Sequence, residues 1–437
     1  MTVHEITESW GRLERKAVPT SHPTSTENLK EYLGKDRTSL AFGLGRSYGD
    51  SCLNFSGGHI NTCGLDRFIA ADWDEGVIRC EAGISLAQIL QVAIPRGYFL
   101  PVTPGTKFVT LGGSIANDIH GKNHHSAGTF GCHVQKFELL RSNGTTLECS
   151  RTENQEIFNA TIGGLGLTGL ITWAEIKMEK GTGFFDVENV KFQNLDEFFK
   201  LCEESNDAYP YSVSWVDCLA KGRSLGRGVF GRGYHAKEKP SKACQVPMLP
   251  KIHIPIEMPN FLLNKYTIKA FNETYFRSFK DFSRNETHHF NPFFYPLDAL
   301  GGWNRIYGSR GFYQYQFVVP KSQTKALEDV FETIALSGQG SFLAVLKEFG
   351  DIPSPGLLSF PKAGYTLALD FANGGQATLD LMTKLDEIVM KADGRIYPAK
   401  DARMSSETFK ESFPCYNKML EFKDPNFSSN FWERVNQ

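Results

Sequence analysis

Residues 101–131 read PVTPGTKFVTLGGSIANDIHGKNHHSAGTFG, with neither the 3.6-residue period of a helix nor the alternation of a strand. A compact protein seldom keeps so long a run outside regular structure unless its backbone holds a ligand. Gly105, Gly112, Gly113, Gly121, Gly128 and Gly131 let main-chain N–H groups come close to a bound group. Thr106, Thr110, Ser114, Ser126 and Thr129 add hydroxyls, and His120, Lys122, His124 and His125 add groups that carry positive charge when protonated. Together they describe a cradle for a large, polar, anionic cofactor, and they make the chain read as an enzyme.

On the N-terminal side of the cradle, Ser39-Leu40-Ala41-Phe42 is a short apolar strand. It runs into Gly43-Leu44-Gly45-Arg46-Ser47-Tyr48-Gly49-Asp50, a glycine-rich turn of the kind that contacts phosphate. Val77–Glu81 reads as a strand, and Ser85 caps a helix that starts at Leu86 and is ended by Pro95 and Gly97. Asn143-Gly144 between two apolar runs, 134–140 and 145–149, signals a hairpin. Gly164, Gly166 and Gly169 match the dinucleotide fingerprint letter for letter. That fingerprint opens a helix, whereas 170–177, LITWAEIK, alternates as a strand, so a Rossmann reading fails on context.

Gly181-Thr182-Gly183 marks a boundary, beyond which amphipathic helices alternate with strands. Asn194 caps a helix from Leu195. Ala326, Leu327, Val330, Phe331 and Ile334 share one helix face, as do Leu381, Leu385, Ile388 and Val389. Strands are expected at 211–216, 313–319, 342–346 and 366–371, giving an α+β lobe on an antiparallel sheet. Residues 246–263, VPMLPKIHIPIEMPNFLL, are apolar but hold four prolines, which excludes a regular helix or central strand. Two readings stay open: an ordered loop packed on the lobe, or an apolar flap for a lipid-like substrate.

A chain of 437 residues exceeds the size of one ordinary core, so two lobes are expected. A net charge of −2 leaves no electrostatic footprint for nucleic acid. No apolar run approaches the ~20 residues needed to span a bilayer. MTVHEITESWGRLERK has no apolar stretch of a secretion signal. Nine scattered cysteines without a CxxC fit reduced thiols in a cytoplasmic protein better than disulfides or zinc, and peripheral contact with a membrane stays open. The spacing His120-x-x-x-His124 carries no metal reading, because Gly121 interrupts the helix that such a site uses.

The glycine-rich turn, the cradle and residues 163–169 together resemble the FAD-binding oxidoreductases of the vanillyl-alcohol oxidase/PCMH superfamily. Within it, the chain is similar to the decaprenylphosphoryl-β-D-ribose 2′-oxidase family of arabinan precursor and cell wall biosynthesis. GLGRSYGD at 43–50, DIHGKNHHSAG at 118–128, Lys265-Tyr266-Thr267, Trp303-Asn304-Arg305, Gln314-Tyr315-Gln316-Phe317 and Ala399-Lys400-Asp401 carry the resemblance, which covers nearly the whole chain. It implies a PCMH-type FAD-binding domain at 1–183, split in sequence. A substrate-binding domain follows at 184–394, an antiparallel sheet flanked by helices, and 395–437 returns to the FAD-binding domain.

For the site the resemblance implies FAD held by Gly43, Leu44, Gly45, Arg46, Ser47, Tyr48, Gly49, Asp50 and Ser51. It adds Gly105, Thr110, Leu111, Gly112 and Gly113, then Asn117, Asp118, Ile119 and His120, with Ile171 and Tyr397 completing the pocket. Relatives that tether the flavin use a histidine in the first turn. Here Arg46 and Tyr48 stand in that region, so the cofactor is expected to be non-covalent. Lys400 is the cation expected beside the flavin, and His120, with Tyr48 in reserve, the proton acceptor. Lys122, Gln314, Gln316 and Lys347 match substrate-pocket positions, and two lysines suit a phosphate-bearing sugar. At three pocket positions the chain departs from the family: Ala368 replaces a cysteine, Phe294 a tyrosine and Thr366 an asparagine. The implied reaction is oxidation of the 2′-hydroxyl of a polyprenyl-phosphoryl-β-D-ribofuranose to a ketone, which an NADH-dependent short-chain reductase then reduces. The alternatives are oxidation of another sugar, polyol or aldonolactone, or flavin binding without turnover.

Overall fold

The computed structural model describes residues 2–34, 37–237, 244–279 and 283–437. The N-terminal third builds two small sheets. In one, Thr2–Glu8, Arg15–Ser21, Gly58–Asn61 and Ser39–Phe42 lie in that order, and Gly58–Asn61 runs parallel to both of its neighbours. In the other, Phe68–Asp72, Val77–Glu81, Leu170–Lys177, Val134–Leu140 and Thr146–Ser150 are antiparallel throughout. Gly144, at φ 82°, closes the expected hairpin. Leu170–Lys177 is a strand, which removes the dinucleotide reading of the three glycines before it.

The remainder is organised by one eight-stranded antiparallel sheet. Its order is Ser283–His289, Phe184–Phe192, Gly228–His235, Tyr211–Val216, Ala344–Phe349, Gly364–Ala372, Phe312–Val319 and Arg395–Ile396. The pleat sorts its side chains. Tyr315, Phe317, Leu346, Leu367 and Leu369 point into a core shared with the helices Leu195–Ser205, Thr324–Ser337 and Gln376–Lys391. Gln314, Gln316, Val345, Lys347 and Ala368 lie on the opposite face, where they line a cavity. Each aromatic fully buried on the helical face is worth about 1.5–3 kcal/mol, so the face needed for packing also fixes which residues look into the cavity.

Two expectations require correction. Residues 101–131 are not without regular structure: Leu111–Ala116 and His124–Ala127 are helical and Phe130–His133 is a 3₁₀ turn. Pieces of six and four residues are too short to show a period. The expected strand at 342–346 lies at Ala344–Phe349, displaced because Ser341 and Leu343 form a side-chain turn. The C-terminal residues touch both parts of the molecule. Arg395–Ile396 is an edge strand of the large sheet, while Phe427 bridges Ser39 and the Asn430 N–H donates to the Leu53 carbonyl. Among the described residues no helix is long and apolar enough to cross a membrane.

Candidate active site

A cavity of about 380 Å³ runs between the small sheets and the open face of the large sheet. Its first wall is main chain. The strand Ser39–Phe42 delivers residues 43–51, where Gly45 takes φ 60° in the left-handed region that favours glycine. A Cβ on Gly43 would lie 2.5 Å from Thr110 Oγ1, so only a glycine lets this loop lie against the Thr110 side chain at the start of Leu111–Ala116. Thr110 caps that helix by accepting from the Gly113 N–H at 3.2 Å. From behind, the N–H groups of Trp10 and Gly11 take the carbonyls of Ser47 and Tyr48.

This wall fits an anionic cofactor. Arg46 Nε and Ser51 Oγ are buried with no hydrogen-bond partner, and Gly105 faces open space, with nothing within 4 Å of where a Cβ would stand. The Arg46 guanidinium lies 3.9 Å from the centre of the Trp10 ring, which fixes it at the cavity. Cys52 also lines the cavity, and burial pushes its thiol up to about 12, so it stays protonated and unreactive.

The second wall is side chains from the large sheet. The register sets Gln316 opposite Ala368, Ala368 opposite Val345 and Lys347 opposite Thr366, so three strands present a polar band. Gln314 is held by donating to Asp370 Oδ1 at 2.7 Å, while the Tyr307 hydroxyl donates to the other oxygen at 3.0 Å. Burial pushes the Asp370 carboxyl up to about 6 against these two bonds. Lys400 sits 3.8 Å from the centre of the Tyr48 ring. Burial lowers Lys400 to about 7, helped by Lys347 and opposed by Asp370. It lowers Lys122 to about 7, helped by Lys347, and Lys347 itself to about 7. Lys122 donates to the Phe293 carbonyl at 2.6 Å, whereas Lys347 reaches the Gly121 carbonyl and His120 Nδ1, both at 3.2 Å.

His120 is enclosed by Phe349, Phe360 and Tyr397. A protonated Lys347 only donates, so Nδ1 accepts and the ring proton sits on Nε2. The Gln316 amide 2.9 Å away then turns its oxygen to that N–H. Burial holds the ring far below the usual histidine range, reinforced by Lys347, His124 and Lys400. With both nitrogens engaged and the cation disfavoured, His120 is badly placed to be the proton acceptor, contrary to the sequence expectation. Tyr48 is no better, since burial raises its phenol further above the ordinary tyrosine range.

Most expected residues meet at this cavity: Gly43 to Tyr48, Ser51, Gly105, Thr110, Gly112, Gly113, Asn117, Ile119, His120, Lys122, Ile171, Phe294, Gln314, Gln316, Lys347, Ala368, Tyr397 and Lys400. Five do not line it. Gly49 packs flat on the Asp401 carbonyl, and Asp50 is ion-paired to Arg434 at 2.8 Å. Leu111 is core. Asp118 is consumed by the Gly131 N–H at 2.8 Å and the hydroxyls of Ser354 and Ser359, each at 2.5 Å. Thr366 stands behind Gln316, 3.3 Å from its amide. The sequence reading missed Asp370, Tyr307, Asp298 and Arg434, and assigned no site role to Trp303, which it had quoted within a family motif. For Asp370 the available signal was a carboxylate inside the apolar run LALDF.

Residues 17–150 match the family model of an FAD binding domain. Over 414 residues the chain is 39% identical to decaprenylphosphoryl-β-D-ribose oxidase of Mycolicibacterium smegmatis, covering 91% of this chain and 89% of that protein. L-gulonolactone oxidase of Bos taurus is 32% identical over 193 residues, 41% of this chain and 43% of that one. Delta(24)-sterol reductase of Homo sapiens is 26% identical over 114 residues, 26% of this chain and 22% of that protein.

Proposed function

The chain belongs to the decaprenylphosphoryl-β-D-ribose oxidase family of FAD-binding oxidoreductases, and from that premise we propose its substrate and the work of its residues. It oxidises the 2′-hydroxyl of a polyprenyl-phosphoryl-β-D-ribofuranose to the 2′-keto sugar, the first half of an epimerisation to the arabinose form that a separate NADH-dependent reductase completes. The observation that carries this reading is the placement of Lys122, Lys347 and Lys400, all lowered to about 7, in one cavity with the glycine-built wall.

FAD, when bound non-covalently against residues 43–48, 51, 105, 110, 112, 113, 117, 119 and 120, would supply the acceptor for the hydride lost from the carbinol carbon. Lys122 and Lys347 in their charged forms hold the phosphate of the substrate. Gln316 and Gln314, fixed by His120 and Asp370, orient the sugar hydroxyls. Neutral Lys400 takes the hydroxyl proton on Nζ. It is left as a cation in the same cavity, where it would offset the negative charge that the hydride carries to the bound cofactor. One lysine thereby does both tasks that the sequence divided between Lys400 and His120. In this reading the chain divides near 183 and 394, with residues 395–437 serving both parts, and the protein meets its lipid-tailed substrate peripherally at a membrane.

A specific observation favours a second reading. Ala368 and Phe294 line the cavity with less polarity than the family pattern, and part of the chain resembles a lactone oxidase. The test is product analysis after incubation with polyprenyl-phosphoryl-β-D-ribose and, separately, with aldonolactones. Loss of two hydrogens and borohydride-trappable carbonyl in the lipid-linked sugar is the expected outcome. Turnover of the lactone alone would replace the proposal with the second reading.

A further inference from the structure

Of the fourteen large apolar side chains exposed in the described residues, seven fall between positions 249 and 271: Leu249, Ile252, Ile256, Phe261, Leu262, Tyr266 and Phe271. Leu249, Phe261 and Tyr266 are 81%, 78% and 73% exposed. Scattered single apolar residues are ordinary on a surface; half of them on one short segment is not.

The segment is a single ridge. Lys251, Ile254 and Met258 donate their N–H groups to the carbonyls of Ala299, Gly301 and Arg305, and Ile252–His253 pairs in parallel with Leu300–Gly301. The turn at Phe261 and Leu262 is tied to the helix Lys265–Ser278, because Thr267 Oγ1 donates to the Leu262 carbonyl at 2.7 Å and Asn264 Nδ2 to the Phe261 carbonyl at 3.0 Å. The inner side chains Ile254, Met258 and Leu263 pack with Trp303, which lines the cavity. The ridge is therefore the outer skin of the cavity wall, with its remaining apolar side chains turned outward.

Its charge has one sign. Between 249 and 271 the chain holds Lys251, Lys265 and Lys269 and a single acid, Glu257. Glu257 is taken by Arg12, with bonds of 2.7 and 2.6 Å. Among the described residues no carboxylate pairs with the three lysines, all of which are exposed. Apolar side chains interleaved with unpaired lysines match the boundary of an anionic bilayer, where tails receive the former and headgroups the latter.

We infer that residues 249–271 dock the protein on an anionic membrane surface, holding the cavity wall against the leaflet that carries the substrate. This deepens the proposed reading by giving its lipid-tailed substrate a route to the cavity, and its test uses no substrate, so the two fail separately. Full-length FAD-loaded protein is sedimented with vesicles of phosphatidylcholine and phosphatidylglycerol at 7:3, and with phosphatidylcholine alone. The expected results are binding to the mixed vesicles, weaker binding to the neutral ones, and at least a tenfold loss in the Ile252→Glu/Phe261→Glu double variant. Lys265→Glu/Lys269→Glu should weaken binding to the mixed vesicles and leave the neutral ones unchanged. Flavin content and thermal midpoint, measured on each variant, identify any that fails to fold, and Leu249→Glu then takes its place. Protein that stays in the supernatant, or binding indifferent to the apolar replacements, overturns the inference. So does light scattering showing a wild-type dimer that Phe261→Glu makes monomeric, because the ridge would then be covered by a second copy.

Discussion

The two walls of the cavity are made of different material. The wall from residues 43–51 and 110–120 is backbone: glycines, a left-handed turn at Gly45, and a short helix with Gly112 and Gly113 in its first turn. The wall from the large sheet is side chain, presented by alternation along Ala344–Phe349, Gly364–Ala372 and Phe312–Val319. Backbone donors recognise what a cofactor always has, its phosphates and ring edges. Side chains can be exchanged without disturbing the sheet beneath them. Of the pocket positions that the resemblance singles out as departures, Ala368 and Thr366 lie on or behind the second wall, and Phe294 lines the cavity from the helix Phe290–Phe294. Changes there should alter turnover and selectivity with the cofactor still bound, and changes on the first wall should release the cofactor.

The largest effect is expected at Lys400. Lys400→Ala should retain bound FAD while the rate of flavin reduction by substrate falls about 10³-fold, the scale of a lost proton acceptor; single-turnover absorbance checks both halves. Next come the two other lysines. Lys347→Met or Lys122→Met should raise the substrate KM about tenfold or more, matching a charge-assisted hydrogen bond of about 1.5–3 kcal/mol, with a smaller change in kcat.

How far these residues could be read from the chain differs between the walls for the same reason. A glycine turn is a local constraint, so 43–51 and 105–113 are visible in sequence order. Lys347 and Gln316 meet only because Ala344–Phe349 and Phe312–Val319 both flank Gly364–Ala372, a pairing that no local pattern encodes, and the family resemblance alone indicated them. The role of His120 depends on Lys347 and Gln316 occupying its two nitrogens, and the use of Asp118 in holding the Gly131 loop depends on hydroxyls more than 230 positions away. Arg434, near the C-terminus, gave no signal at all. It nevertheless ties the first glycine-rich loop to the C-terminal segment that carries Lys400, by bonding Asp50 at 2.8 Å and Asp401 at 3.1 Å.

That clamp sharpens the comparison. Arg434→Gln leaves two carboxylates facing each other, and stability should drop by about 3 kcal/mol, read from denaturant midpoints, with weaker retention of FAD; Arg434→Lys should recover most of the loss. The smallest change is a new liability. Ala368→Cys should bring sensitivity to thiol-directed nitroaromatic inhibitors at little expense in turnover, since the side chain faces the cavity from a strand that tolerates it. An Ala368→Cys variant that such inhibitors leave active would show the substrate wall to be shaped otherwise.

The account turns on Lys400 working as a neutral amine while Lys122 and Lys347 work as cations, all three starting from about 7. The direct test is anaerobic stopped-flow reduction of the FAD-loaded protein by polyprenyl-phosphoryl-β-D-ribose between pH 5.5 and 9. Below about 7 Lys400 is protonated and cannot accept, so the limiting rate should climb as pH rises through that region and then level. Above it Lys122 and Lys347 lose charge, so half-saturation should move to higher substrate concentration. A limiting rate that falls as pH rises through 7 would make Lys400 only a cation and contradict the mechanism, and a flavin that this substrate never bleaches would contradict the function.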